Sequence, residues 1–195
     1  RPHLVNRLDR ETSGVVLVAK TDVAARELRR LWETRRVQKE YLAIVHGHVL
    51  EDRGTINAPL GKDESSRVAI KDCVRPDGAE SQTDFEVLRR SVFRRDPVDD
   101  TTPPIPVTLL RILPCTGRKH QIRVQLAGRN LPILGDRKYG ARRPFSPGIA
   151  LHARSLGAAA VKVDNLAELA NAMRAARAAP GTQVIVINTT HKRTT

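Results

Sequence analysis

The feature that most limits what this chain can fold into is a succession of short apolar runs, each closed by turn residues. Val15–Ala19, Lys39–His46, Thr83–Leu88, Val107–Leu113 and Leu131–Leu134 are four to eight residues long. That is the length of strands and too short for helices. Lys39–His46 also alternates, with Tyr41, Ala43 and Val45 pointing one way and Leu42, Ile44 and His46 the other. Residues 50–80 read as loops with short hairpin strands, and Asp96–Pro106, with four prolines, as a loop.

Only two segments before residue 150 carry a helical period. Thr21 or Asp22 can cap a helix running to about Arg36, with Ala24, Leu28 and Leu31 on one face and Trp32 beside them in the core. Thr116-Gly117 turns the chain into a helix of about Arg118–Ala127, with Ile122 and Leu126 on one face and Gly128 as its stop. Antiparallel-looking strands with a few helices predict an α+β fold, a mixed and largely antiparallel sheet with a few flanking helices. Aromatics are 3% of the chain and apolar residues 40%, so the core must be built from Leu, Val, Ile and Ala.

The charge points to a polyanion. Lys and Arg number 34 against 21 Asp and Glu, a formal +13, and basic surfaces bind phosphates by releasing counterions. A non-binding basic surface or an anionic membrane contact is the alternative. The excess is concentrated: residues 111–143 hold nine bases (Arg111, Arg118, Lys119, Arg123, Arg129, Arg137, Lys138, Arg142, Arg143) and one acid, Asp136, a net +8. Ordinary solvated faces mix both signs, so this stretch is the expected RNA-facing surface.

Cys73 and Cys115 are isolated, and His3, His46, His48, His152 and His191 show no ligand spacing, so no metal is expected. Two lone cysteines suit a reducing cytoplasm. No apolar run approaches the roughly 20 residues that span a bilayer, and no signal peptide opens the chain. The first residue is Arg rather than Met, which reads as a fragment or a processed chain.

Two clusters carry chemistry. Asn6-Arg7-Leu8-Asp9-Arg10-Glu11-Thr12-Ser13-Gly14 sets a carboxylate between two arginines just before a strand. Nearby cations hold a carboxylate ionised, as a nucleophile or base requires; a surface ion pair would give the same pattern. Thr116-Gly117-Arg118-Lys119-His120-Gln121-Ile122-Arg123 combines a tight turn with hydrogen-bonding side chains suited to phosphates and base edges. It is not a P-loop, since the upstream glycine is missing, and it could equally be an ordinary basic helix start.

Together these segments resemble the RluA-type pseudouridine synthases. Arg7 to Gly14, Lys39-Glu40-Tyr41 and Thr116 to Arg123 are similar to that family's three signature motifs, in order and in approximate spacing. Gly135-Asp136, Tyr139-Gly140 and Leu151-His152-Ala153 resemble its supporting elements, and the likeness covers roughly residues 1–155. It implies a sheet of the pseudouridine synthase type and isomerisation of uridine in structured RNA, ribosomal or transfer. By that resemblance Asp9 is the catalytic aspartate, Tyr41 stacks on the flipped base, Arg123 pairs with the aspartate and Ile122 touches the target base. Arg7 fills the gap the uridine leaves in some members, and Arg10, Lys39, Arg118, Lys119, His120 and Gln121 contact RNA. Breaking N1–C1′ and making C5–C1′ needs no metal or redox cofactor, and a stacking tyrosine offsets part of the cost of flipping.

Three departures accompany the resemblance. Asn6 stands where the family usually has His, which keeps a hydrogen-bonding side chain there. The family's preceding Lys-Pro-containing strand and any accessory RNA-binding domain are expected to be missing. After Gly157 the family's final strands are not recognisable, so residues 1–157 are expected to form the catalytic core and 158–195 an atypical helix–strand segment. In that segment Asn165 and Glu168 can cap a helix striped by Leu166, Leu169, Ala170 and Met173, ended by Pro180-Gly181. Gln183–Asn188 then reads as a strand with no identifiable partner, poorly docked or borrowing an open sheet edge. Residues 153–190 resemble the C-terminal part of thiamine-diphosphate-dependent trihydroxycyclohexanedione hydrolases, although no diphosphate- or metal-binding motif accompanies them. The expectation is a cytoplasmic, cofactor-free, monomeric synthase. The competing readings are a catalytically incompetent RNA-binding remnant, and a thiamine-enzyme fragment that would explain only the tail.

Overall fold

The computed structural model describes residues 2–9, 11–66, 71–94, 103–140, 149–154, 160–163 and 183–187, with side chains to Ala153. In chain order its elements are β1 (His3–Leu4), β2 (Ser13–Ala19), α1 (Asp22–Glu33), β3 (Glu40–His46), β4 (Arg53–Asn57), β5 (Leu60–Lys62), β6 (Asp72–Val74), β7 (Gln82–Phe93), β8 (Ile105–Pro114), α2 (Gln121–Gly128), β9 (Leu151–Arg154), β10 (Ala160–Val163) and β11 (Gln183–Ile187). The chain divides into two compact units, Arg1–Glu40 with His152–Thr195, and Tyr41–Leu151. Neither boundary falls at residue 157.

The first unit is organised around β2. One edge of β2 takes β11, antiparallel, from Gly14↔Ile187 to Val18↔Gln183. The other edge is shared by β9, parallel at Ser13↔His152 and Gly14↔Ala153, and by β1, antiparallel at His3↔Ala19. β11 in turn pairs in parallel with β10. Of the two expected outcomes for the tail strand, poor docking or a borrowed sheet edge, the structure shows the second, and the partner the sequence did not identify is β2: β11 has a neighbour on both sides. Its run Gln-Val-Ile-Val-Ile pairs residue for residue with Gly14–Val18 of β2, and pairing satisfies both backbones. The expected 165–180 helix lies outside the described residues.

Helix α1 starts where its cap residue does: Thr21 Oγ1 accepts the Ala24 N–H at 3.2 Å. Its face buries Ala25 fully and Leu28, Leu31 and Trp32 only in part, so Trp32 is a half-buried flank rather than core. The helix ends in a Schellman turn, with Arg36 N–H donating to Leu31 C=O and Arg35 N–H to Trp32 C=O. Arg35 takes the left-handed position at φ 57, where glycine is usual. A left-handed side-chain-bearing residue costs about 1–2 kcal/mol. Arg35→Gly is therefore expected to raise the denaturant midpoint, by about 1 kcal/mol of stability once the freer unfolded chain is offset.

In the second unit the strands run β3-β8-β7-β4, all antiparallel. Ala43 and Val45 of β3, Leu110 and Ile112 of β8, Phe85 of β7 and Ile56 of β4 form one core with Ile122 and Leu126 of α2. A bulge between Val87 and Arg89 turns Leu88 outward. β8 begins earlier than expected, at Ile105, and takes Pro106 into the strand. Pro106 C=O accepts the Gly47 N–H just past the end of β3, so the missing N–H falls at the start of β8, where a strand tolerates proline. Leu131–Leu134 forms a single bridge, Val45↔Ile133, rather than a strand.

Helix α2 is shorter than expected, starting at Gln121 instead of about Arg118, because the three preceding residues are held as a turn. Its stop is not Gly128, which is its last helical residue. Asn130 supplies the left-handed position at φ 60, with Leu131 N–H on Leu126 C=O and Asn130 N–H on Ala127 C=O. No helix among the described residues is long and apolar enough to cross a membrane.

Candidate active site

In the first unit, the loop carrying Asp9 is hung from β2 by an asparagine. Asn6 Nδ2 donates to Val15 C=O at 3.2 Å, and Asn6 Oδ1 accepts the Leu17 N–H at 2.7 Å. The side-chain amide thus pairs with β2 as a neighbouring peptide group would, and Val5 N–H extends the pairing to Leu17 C=O. The loop closes when Thr12 N–H donates to Asp9 C=O at 3.0 Å, with Thr12 buried behind it. Asp9 itself is half-buried and Arg7 is exposed. Arg10 lies outside the described residues.

The base of this loop is set by Gly14, at φ 132. A Cβ there would stand 2.3 Å from Ala153 C=O, so only glycine lets β9 approach β2 in this register. Ser13 Oγ and His152 Nδ1 lie 3.0 Å apart across the same pair. Two segments that the sequence places 139 residues apart thereby meet under the Asp9 loop. Lys39, just before β3, is half-buried in this unit.

In the second unit, Tyr41 stands on β3 opposite Ile112, partly buried against the core. The 116–123 segment is braced from inside by Gln121, which is 4% exposed. Gln121 Oε1 accepts from Thr116 Oγ1 at 2.8 Å and from Arg118 N–H at 2.9 Å. Gln121 Nε2 donates to Gln82 C=O and to Thr83 Oγ1. The expectation that Gln121 contacts RNA is therefore corrected: both ends of its amide are committed inside the fold. Ile122 is likewise a core residue, 7% exposed.

Arg123 is 5% exposed and meets a 1% exposed carboxylate: Nε donates to Asp136 Oδ2 at 2.7 Å and Nη2 to Asp136 Oδ1 at 2.8 Å. Such a fork is the strongest geometry an ion pair takes. Asp136 also accepts the backbone N–H groups of Lys138 and Tyr139. The Arg123 guanidinium carbon lies 5.2 Å from the Tyr139 ring centroid. Burial pushes the Tyr139 phenol up to about 12, and its oxygen accepts the Asp72 N–H at 3.3 Å and lies 2.6 Å from His120 Nδ1.

The exposed bases of this segment are Arg118, whose Nε donates to Glu80 C=O, and Lys119, whose Nζ lies 2.9 Å from Asp72 Oδ1. The net +8 of residues 111–143 is thus partly answered by acids brought from elsewhere: Glu86 faces Arg111, Asp72 faces Lys119 and Glu51 faces Arg129. Arg142 and Arg143 lie outside the described residues. Sequence reasoning assigned no chemistry to Asp136, although a signal existed, since it is the single acid among nine bases. Asp72 carried none, because only the β5–β6 ribbon brings it to Lys119 and Tyr139.

The chain matches the family described as RNA pseudouridylate synthase over residues 1–128. It is 39% identical over 158 residues to an uncharacterized RNA pseudouridine synthase, YlyB, of Bacillus subtilis, covering 80% of this chain and 47% of that one. It is 38% identical over 154 residues to the dual-specificity RNA pseudouridine synthase RluA of Yersinia pestis, covering 78% of this chain and 68% of that one. Among solved structures, human RNA pseudouridylate synthase domain containing 1 superposes with a TM-score of 0.67 at 32% identity, over 78% of this chain and 62% of that one. The chain therefore spans about half the length of the Bacillus relative. The mixed, mostly antiparallel sheet with few helices is the architecture of these structural neighbours. The likeness of the tail to a thiamine-dependent enzyme has no support in these comparisons.

Proposed function

The chain belongs to the RNA pseudouridylate synthase family, and on that premise we propose that it isomerises uridines in structured RNA, ribosomal or transfer, to pseudouridine. The observation that carries the reading is the family match over residues 1–128, which holds all three chemistry-bearing segments. The formal charge of +13 supports an RNA substrate.

In this reading the target uridine is flipped out of its stack. Asp9, on a loop clamped to β2 through Asn6, attacks the ribose or base. Tyr41 stacks on the flipped base, an interaction of roughly 1–3 kcal/mol. Arg123 is the basic residue that the family resemblance assigns to the reaction, and its orientation is held by Asp136. Arg7, Arg10, Lys39, Arg118 and Lys119 steer and hold the phosphate backbone, and the setting is the cytoplasm. The tail contributes β11, which completes the pairing of β2. No cofactor or metal enters the isomerisation.

The test uses ribosomal and transfer RNA transcripts tritiated at uridine C5. That hydrogen leaves when the C5–C1′ bond forms, so tritium release counts turnovers. Release from either RNA class is the expected result. Binding of both without release of tritium would make the chain an RNA-binding remnant instead.

A further inference from the structure

Residues 29–36, which end α1, hold four exposed arginines, Arg29, Arg30, Arg35 and Arg36, and one acid, Glu33. Arg30 stands 3.8 Å from Glu27, a surface pair of little consequence. The side chains of Arg29, Arg35 and Arg36 make no ion pair or hydrogen bond among the described residues. The bases of 111–143 differ. Among the described residues every one but Arg137 spends a contact inside the fold, on a carboxylate, a backbone carbonyl or an aromatic ring.

The arginines do not cap their own helix. The carbonyls of its last turn are already met: Arg30 C=O by the Thr34 N–H and hydroxyl, Leu31 C=O by the Arg36 N–H, and Trp32 C=O by the Arg35 N–H. All of these bonds would form with glycine at position 35. Positive charge near a helix C-terminus is favourable, but Arg30 and Arg36 supply it without a left-handed residue. At φ 57 a side chain at position 35 costs stability that glycine would not. Strained residues persist where they are used, and the Arg35 guanidinium has no use among the described residues.

We propose that Arg35 and Arg36 form a phosphate-binding surface for RNA, additional to the one read for Arg118 and Lys119. It rests on the RNA-modifying reading above and extends it. The turn belongs to the same unit as the Asp9 loop and lies three residues before Lys39. Guanidinium groups on an exposed turn suit phosphate oxygens and fix position without reading sequence. The ligand is therefore the phosphodiester backbone.

The experiment measures the affinity of a stem–loop RNA at a series of potassium chloride concentrations, and the thermal unfolding of each variant. Arg35→Gly is expected to raise the melting temperature and yet weaken binding about threefold, with the slope of log affinity against log salt reduced by about one unit. Arg35→Gly combined with Arg36→Gln should weaken binding about tenfold and reduce the slope by about two units. Arg35→Lys keeps both the charge and the left-handed cost, so affinity within about twofold of wild type and no gain in melting temperature are expected. Arg53→Gln removes one exposed charge from β4, in the other unit, and should leave affinity and slope unchanged.

Unchanged affinity and slope in the double variant would show arginines that serve only the helix end, and would overturn the proposal. So would a lowered melting temperature in Arg35→Gly, an equal loss of affinity in Arg53→Gln, or a wild-type chain that binds no RNA. Lost binding to phosphatidylserine vesicles with RNA affinity unchanged would assign the surface to an anionic membrane and overturn it too. A chain that shows the expected losses but releases no tritium refutes the isomerase reading and leaves this surface standing.

Discussion

Asp9→Asn is expected to abolish pseudouridine formation while leaving RNA affinity and melting temperature close to wild type. The substitution is nearly isosteric and removes one negative charge. Two sets of contacts that shape the loop do not depend on that charge: Thr12 N–H bonds to the backbone carbonyl of residue 9, and Asn6 anchors the loop to Val15 and Leu17. The turn should therefore survive, and what is lost is the nucleophile or base. Tritium release from the transcripts described above measures it, with affinity and thermal unfolding as controls. A variant keeping more than about a tenth of the wild-type rate, a barrier change under roughly 1.4 kcal/mol, would remove Asp9 from the chemistry. A loss of activity accompanied by a large fall in melting temperature would place Asp9 in the architecture instead.

The second large effect is on stability. Asp136→Ala strips a 5% exposed guanidinium of its forked carboxylate and removes the acceptor for Lys138 and Tyr139 N–H. Removing one partner of a buried pair costs about 3–5 kcal/mol, because the remaining charge cannot recover its hydration. Domains of this size are stable by only about 5–15 kcal/mol, so a substantial unfolded fraction is expected on mild warming. Denaturant unfolding of Asp136→Ala, Arg123→Met and the double variant separates the causes. If an uncompensated charge dominates, the double variant is more stable than Asp136→Ala alone. A loss below about 1 kcal/mol in Asp136→Ala would mean that water reaches Arg123 and that the pair is not the anchor of α2.

How much was legible beforehand differs from element to element. β2, β3, β7 and β8 follow from apolar runs closed by turns, because burying such a run on a sheet requires no information beyond its neighbours. Thr21 announced α1 for the same reason: a capping hydroxyl acts three residues away, and here it does. The ends of both helices were not legible, since Arg35 and Asn130 take left-handed positions that local preference reserves mainly for glycine. The start of α2 was misplaced because Gln121, polar and unremarkable in sequence, spends its amide on Gln82, Thr83, Thr116 and Arg118.

By itself the sequence determined the family, through three motifs in order, and with it the identity of Asp9, Tyr41 and Arg123 as candidates. It also determined an aliphatic core, since with aromatics at 3% no other core was available. Only the tertiary structure decided which charges remain to meet a ligand. A linear count cannot see that Asp72, Glu51 and Glu86 are delivered to the basic stretch by chain reversal. Only the tertiary structure decided the role of the tail, because strand pairing is a long-range backbone interaction without a sequence code of its own: β11 sits on β2 although some 165 residues separate them. Side-chain type and local spacing act over a few residues, whereas pairing partners and buried counter-charges depend on which distant segments the fold makes neighbours.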